Sequence, residues 1–409
     1  MSVRFGRSPE AAAAAVFPPD FTGARERFLA LAARAQLPVK TYENPRKGPA
    51  GERLATDIAL QGDPSARKLL VTISGTHGIE GFCGSGCQAD WLMESARADL
   101  PADIALLHVH ALNPHGFAWL RRVTEEGVDL NRNFYDFTKP VPENPEYDML
   151  ADALVPLSTA PEVVAAAEAR IAVFRNQRGQ KALQRARSGG QYKHPTGMFY
   201  GGTKPTWSRA TLERIVRDYG LAACARVAVI DYHTGLGPYG YGELICDHDP
   251  GTPNLAAALD WYGEGVTVPL LGTSSSVPKH GTVGTGFWQP QLGAGVVYTA
   301  LEFGTFSPDQ GRGPMRTCCT RAGPSTGARP RRNASSAACA GISSPIPRLG
   351  ASSCCSGADR CWARHLRGWP RRRSEETCNA WPCIFPPRNS PSAAGARPPP
   401  WRRRNSMAC

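Results

Sequence analysis

Apolar residues Ala24, Phe28, Leu31 and Ala35 recur three or four positions apart, a spacing that gathers them on one helical face and predicts a helix over residues 21–36. Residues 68–74 (KLLVTIS) and 104–111 (IALLHVHA) are short, nearly continuous apolar runs, as expected of strands buried on both faces. Two more segments of this kind lie at 226–233 (RVAVIDYH) and 296–303 (VVYTALEF). Helical spacing returns over 161–179 and 208–220, each ending at a glycine, a common helix stop. Strands interleaved with helices predict an α/β fold: a mixed, mainly parallel twisted sheet with helices on both faces.

The pattern stops near residue 311. Beyond it lie paired cysteines, arginine and proline triplets and Ser/Ala runs, with no sustained period of 2 or 3.6. A catalytic domain is therefore expected over residues 1–310, and a disordered low-complexity tail over 311–409. The charge divides at the same place. The chain carries +12 overall, but the tail holds 18 Arg, no Lys and 3 acidic residues, which leaves the body at −3. A mildly acidic body gives no electrostatic reason to bind nucleic acid, and the tail predicts weak, sequence-blind binding at most.

Nine of the 13 cysteines also fall in the tail; the four in the body (Cys83, Cys87, Cys224, Cys246) suit a reducing compartment better than a disulfide framework. No window approaches the ~20 apolar residues that span a bilayer, and the apolar stretch 11–16 is too short for a secretory core. The expectation is a cytoplasmic protein without a membrane partner.

Four segments carry candidate chemistry. In residues 75–80 (GTHGIE), a histidine and a glutamate three apart leave a strand in a turn, where both can address one ion. Zinc suits an imidazole and a carboxylate. H-x-x-E alone is common, and a polar turn explains it equally well. In residues 231–235 (DYHTG), His233 stands at the carboxyl end of a strand, where sites in open α/β sheets assemble. Asp231, two residues earlier on the same face, could accept from the imidazole's second nitrogen, although a satisfied core histidine is as good a reading.

In residues 298–304 (YTALEFG), Glu302 is a carboxylate in apolar company, costly to bury unless paired or catalytic, or else an exposed edge residue. In residues 129–134 (DLNRNF), Asn131 and Arg132 offer an amide and a planar fork for a carboxylate. Arg121 or Arg122 could steady an oxyanion. Each of these arginines could equally be a surface charge.

Other groupings are weaker. His108 and His110 share a strand face but lack a third convergent ligand. Cys83 and Cys87 read as small packing residues, and the tail pairs Cys318-Cys319 and Cys354-Cys355 lack the spacing of a zinc cage. Residues 281–286 (GTVGTG) are no phosphate loop and suit a flexible loop at the site.

Taken in order, GTHGIE, NPHG, DLNRNF, DYHTG and ALEFG resemble the zinc carboxypeptidase (M14-like) superfamily, and within it the DUF2817 branch. The resemblance covers roughly residues 21–308. It implies a zinc carboxypeptidase-like fold and one Zn2+ per chain on His77, Glu80 and His233. It also implies Glu302 as general base, Arg122 (or Arg121) as oxyanion partner, and Asn131 with Arg132 on the substrate carboxylate. The substrate would be a small peptide or an acylated amino acid. The rival reading is an N-acyl amino acid deacylase of the aspartoacylase and succinylglutamate desuccinylase type, which shares the G-T-H-G-x-E turn. Two departures stand out: no tyrosine is assigned as the mobile substrate cap, with Tyr239 and Tyr241 as candidates, and the likeness ends after Pro308.

An Arg-, Pro- and Cys-rich tail without lysine resembles a GC-rich gene read out of frame near codon 312, and such a tail raises the further reading of an inactive or misfolded product. Resequencing the locus from independent DNA is expected to reveal the frame change. An intact frame there would mean the tail is a genuine disordered extension.

Overall fold

The computed structural model describes residues 16–94, 100–158 and 160–305, so the expectations for residues 311–409 lie outside the described residues. Asp20 opens the first helix by accepting a hydrogen bond from Gly23 N at 2.8 Å, which satisfies one donor the first turn leaves over. The helix, α1 (Phe21–Arg34), buries Phe21, Ala24, Phe28 and Ala32. An antiparallel pair follows, β1 (Val39–Lys47) and β2 (Arg53–Gln61). After it come β3 (Lys68–Ile73), α2 (Gly81–Glu94), β4 (Ile104–His110) and the short α3 (Pro114–Ala118).

Three helices, α4 (Pro145–Leu154), α5 (Pro161–Arg178) and α6 (Gln180–Ser188), gather a satellite core around Tyr147, Phe174, Leu183 and Phe199. Then come α7 (Trp207–Asp218), β5 (Arg226–Gly235), β6 (Gly242–Ile245), α8 (Pro253–Tyr262) and β7 (Val266–Thr267). A π-turn at Gly284–Trp288 leads through α9 (Gln289–Leu292) into β8 (Val296–Gly304).

The eight strands form one sheet in the order β1-β2-β4-β3-β5-β8-β6-β7. The β4-β3-β5-β8 centre is parallel throughout, while β1, β2 and β6 introduce the antiparallel pairings. Helices cover both faces, as the alternation predicted. On one face α1, α2 and α8 pack Phe28, Cys87, Leu255 and Trp261 against Ala228, Ile230 and Val297. On the other, α7 and the π-turn pack Leu212, Ile215 and Trp288 against Val227, Val229 and Tyr298. No helix among the described residues is long and apolar enough to cross a membrane.

This alternation positions the chemistry. Along β5, Val227 and Val229 face the α7 side, so Asp231 and His233 continue the same parity at the strand's carboxyl end. Along β8, Tyr298 faces that side too, and Glu302 follows it. Parallel pairing sets His233 opposite Glu302, and β8 is flanked by β5 and β6. Glu302 is therefore on an interior strand, which removes the edge-residue reading.

The other weak groupings resolve as packing. His108 meets Thr72 Oγ1 at 3.0 Å, and His110 meets Ser85 Oγ at 2.9 Å while stacking on Phe28. Cys83 and Cys87 are buried in α2 against the sheet. That helix lies close because a Cβ at Gly84 would meet Ser74 and Tyr232 within 2.9 Å.

Gly78 makes a close approach near the site, since a Cβ there would run into the backbone of Gly116 and Phe117. Backbone cannot swing aside as a side chain can, so Gly78→Ala is expected to cost about 3 kcal/mol. That corresponds to a Tm about 6–12 °C lower. Gly295→Ala, whose Cβ would meet nothing nearer than Ala225 O at 3.7 Å, is the control and stays within about 0.5 kcal/mol. Equal thermal melts for the two variants would refute the close approach.

Candidate metal centre

Beyond β3 the chain turns at Gly75, whose φ of +72° lies in the left-handed region open to a residue without a Cβ. His77 then caps a single helical turn, Gly78–Glu80. Gly78 N and Ile79 N donate to Arg122 O at 3.2 Å and Arg121 O at 2.9 Å, which stitches the turn to the segment carrying both arginines. His77 and Glu80 thereby reach the carboxyl end of β5. Ligand atoms of His77, Glu80 and His233 lie within 4.8 Å of one another, and all three residues are buried.

Several details fit a divalent cation. His233 Nδ1 stands 3.4 Å from Glu80 Oε2, about the edge of a tetrahedron whose metal–ligand arms are ~2.1 Å. Each histidine also has a carboxylate near its other nitrogen: Asp231 Oδ2 is 3.0 Å from His233 Nε2, and Asp129 Oδ1 is 3.4 Å from His77 Nδ1. Neither contact has the alignment of a full hydrogen bond, and both nitrogens stay otherwise unpartnered. A carboxylate behind an imidazole is the usual support for a metal ligand. Asp231 is itself fixed by Thr76 Oγ1 at 2.8 Å and by the Tyr298 hydroxyl at 3.1 Å. Asp129, Thr76 and Tyr298 were not singled out from the sequence, although Asp129 opens the DLNRNF motif.

Arg122, not Arg121, enters the cluster. Its guanidinium donates to Glu80 Oε1 at 2.9 Å and Asp129 Oδ2 at 2.9 Å, and its Nη2 lies 2.6 Å from His77 Nε2. His77 and Glu80 thus already direct lone pairs at one positive charge. A metal on His77 Nε2 would require Arg122 to release that nitrogen while its Asp129 bond holds it nearby. Arg121 lies instead near His115, which burial and then Arg121 push down to about 4.

Burial and the Arg122 charge hold His77 well below the ordinary imidazole range. Burial acts on His233 in the same sense, but the Asp231 and Glu80 carboxylates outweigh it and raise His233. Glu302 Oε1 accepts from Leu236 N at 3.0 Å. Burial, with repulsion from Glu80, pushes its carboxyl up to about 7.

The Asn131–Arg132 pair is partly spent on structure. Asn131 Oδ1 accepts from Val283 N at 2.9 Å, which leaves its amide N–H free to donate elsewhere. Arg132 is 1% exposed, packed at 5.3 Å over Phe199. It donates through Nε and Nη2 to Ser188 O and through Nη1 to Asn131 O. Tyr239 and Tyr241 sit between β5 and β6, 44% and 58% exposed. The His77, Glu80, His233 set is the one three-ligand cluster found among the described residues, so the His108–His110 strand gains no third ligand.

A sheet that converges two histidines, two glutamates and an arginine at its carboxyl edge defines a candidate metallohydrolase centre. Residues 17–314 match the family model described as a protein of unknown function, DUF2817, and the chain belongs to that family. No curated protein matches the sequence.

Among solved structures, it is similar to a candidate metallopeptidase from Shewanella amazonensis, at 14% identity and a TM-score of 0.36 over 74% of this chain and 90% of that one. It is also similar to carboxypeptidase A from Helicoverpa armigera (13% identity, TM-score 0.40, 74% and 68% covered). A third is a candidate succinylglutamate desuccinylase/aspartoacylase from Shewanella frigidimarina (14%, 0.30, 69% and 68%).

Asp129→Asn keeps the oxygen that accepts from Asn131 N at 3.1 Å but removes the charge behind His77. Zinc affinity measured by chelator competition is expected to fall about 10–100-fold. An unchanged affinity would mean that Asp129 serves Arg122 alone.

Proposed function

We propose that the chain is a zinc-dependent hydrolase that cleaves an amide bond in a small substrate with a free carboxylate, a peptide or an acylated amino acid. The observation that carries this reading is the convergence of His77, Glu80 and His233 with Glu302 paired in register beside His233. The ordered motifs GTHGIE, NPHG, DLNRNF, DYHTG and ALEFG support it.

His77, Glu80 and His233 would hold one zinc per chain, leaving one coordination position open. When bound, the ion supplies Lewis-acid polarisation and lowers the pKa of a water. Glu302 takes the proton of the attacking water and hands it to the leaving nitrogen. A carboxyl near 7 can do both close to neutrality, because it neither holds nor surrenders the proton too firmly. Arg122 neutralises the charge that develops on the carbonyl oxygen, in a buried setting where such contacts are worth more than in water. Its Asp129 partner fixes the guanidinium before the reaction starts. Asn131 and Arg132 draw the substrate carboxylate toward the site, Arg132 through the charge and the guanidinium protons its carbonyl bonds leave over.

Glu302→Gln preserves shape and removes the base. The full-length variant is expected to keep its zinc content and lose about 10²–10⁴ in kcat. The assay pairs release of C-terminal residues from peptides with cleavage of N-acyl amino acids, and the faster reaction separates the carboxypeptidase from the deacylase reading. Absence of both activities in zinc-loaded parent protein would overturn the proposal.

A further inference from the structure

Lys279 lies in the loop before the GTVGTG segment. That loop is clamped at both ends. At its start, Ser274 Oγ and Ser275 N donate to Glu243 Oε1 at 2.7 and 3.0 Å. Glu243 lies on β6, directly opposite Glu302 on β8. At the loop's end, His280 N donates to Gly189 O at 2.9 Å, Phe134 N to Gly281 O at 3.1 Å, and Val283 N to the Asn131 side chain at 2.9 Å. Gly281 lies flat on the Arg132 carbonyl, where no Cβ fits. One end of the loop is thus tied to the neighbour of the proposed base, the other to the Asn131–Arg132 turn.

Between these anchors the Lys279 side chain is half-buried and its ammonium bonds the Ser276 hydroxyl. The anchors on either side, Glu243 opposite Glu302 and the Asn131–Arg132 turn, hold this stretch of loop beside the candidate centre, and the Lys279 charge lowers the Glu302 carboxyl in keeping with that placement. No carboxylate among the described residues lies within ion-pair distance of it. An ammonium has three donors, and a single hydroxyl does not satisfy them; the Asp247 and Glu302 carboxylates act on the charge from beyond ion-pair distance. The two arginines already spend part of their donors within the protein: Arg122 on Glu80 and Asp129, Arg132 on backbone carbonyls under Phe199.

We propose that Lys279 is a further specificity-determining residue that receives the substrate's carboxylate, with the Asn131 side-chain amide as its neighbour, while Arg132 braces the turn that carries Asn131 and adds its charge. In calling the bound molecule a substrate, the inference rests on the hydrolase reading. The ligand class follows from the donors: a carboxylate, taken up by the ammonium and the Asn131 amide through charge-assisted hydrogen bonds. Burial, the first cause, pulls the Lys279 amine down to about 8 and leaves it mostly charged at neutral pH, as an anion anchor requires.

The test measures binding to full-length protein by calorimetry, with N-benzoylglycine and its carboxamide as probes. Parent protein is expected to bind the carboxylate about 10–100-fold more tightly, the value of one charge-assisted contact. Lys279→Met should erase that preference with no effect on carboxamide affinity, and Lys279→Arg should keep most of it. A parent without the preference, a Lys279→Met variant that retains it, or an equal loss for both probes would overturn the inference. Binding needs no turnover, so the two claims separate. A Lys279-dependent carboxylate preference without cleavage of any amide would leave the anchor standing and sink the hydrolase reading.

Discussion

Removing a charge from water costs several kcal/mol unless another charge or a set of hydrogen bonds replaces the solvent. The carboxyl edge of β3, β5 and β8 buries Glu80, Asp129, Asp231 and Arg132 almost completely, with Arg122 and Glu302 partly covered beside them. The arrangement is stable only as a network. Arg122 joins Glu80 to Asp129, Asp231 takes Thr76, Tyr298 and the flank of His233, and Glu80 also accepts from Thr234 N at 3.0 Å. Glu80 and Asp231 are each held from two separate segments of the chain, Glu80 by Arg122 and Thr234 N, Asp231 by Thr76 and Tyr298. Such a network suits catalysis, since groups fixed before the substrate arrives need no reorganisation during the reaction.

The sheet gives this network its coordinates. Side-chain parity puts Asp231, His233 and Glu302 on the α7 face, and parallel register places His233 and Glu302 across from each other. A shift of one residue in β8 would turn Glu302 into the opposite core. The antiparallel partner β6 then sets Glu243 beside Glu302, and Glu243 in turn organises the loop that presents Lys279. Strand register, the proposed base and the proposed anion anchor are linked through backbone and side-chain hydrogen bonds.

Much of this was legible in the chain because strong periodicity marks strands buried on both sides. The apolar runs at β3, β4, β5 and β8 are near-continuous, so their positions came through within a residue or two. β1 escaped because it is an exposed, charged strand that buries little besides Tyr42 and Asn44. α2 escaped because its glycines and cysteines (GFCGSGC) lack helical periodicity; it is small on every side to lie close to the sheet. His77, Glu80, His233 and Glu302 were readable from motif order. The choice of Arg122 over Arg121 was not, since neighbouring residues in a turn diverge by an angle the sequence does not encode. Asp129 and Tyr298 were hidden because their roles arise from contacts distant in the chain, 52 positions from Asp129 to His77 and 67 from Tyr298 to Asp231, and Lys279 because its loop is placed by Glu243 and the Asn131–Arg132 turn rather than by any motif of its own.

The central claim is that His77, Glu80 and His233 bind one metal ion in a folded body, whatever the tail contributes. Zinc per chain, determined by elemental analysis on full-length protein beside the His77→Ala and His233→Ala variants, tests it most directly. The tail cysteines can take up metal on their own, so the variants decide the assignment. About one zinc in the parent that disappears in both variants is the predicted result. Equal zinc in all three proteins, or none in the parent, would contradict it.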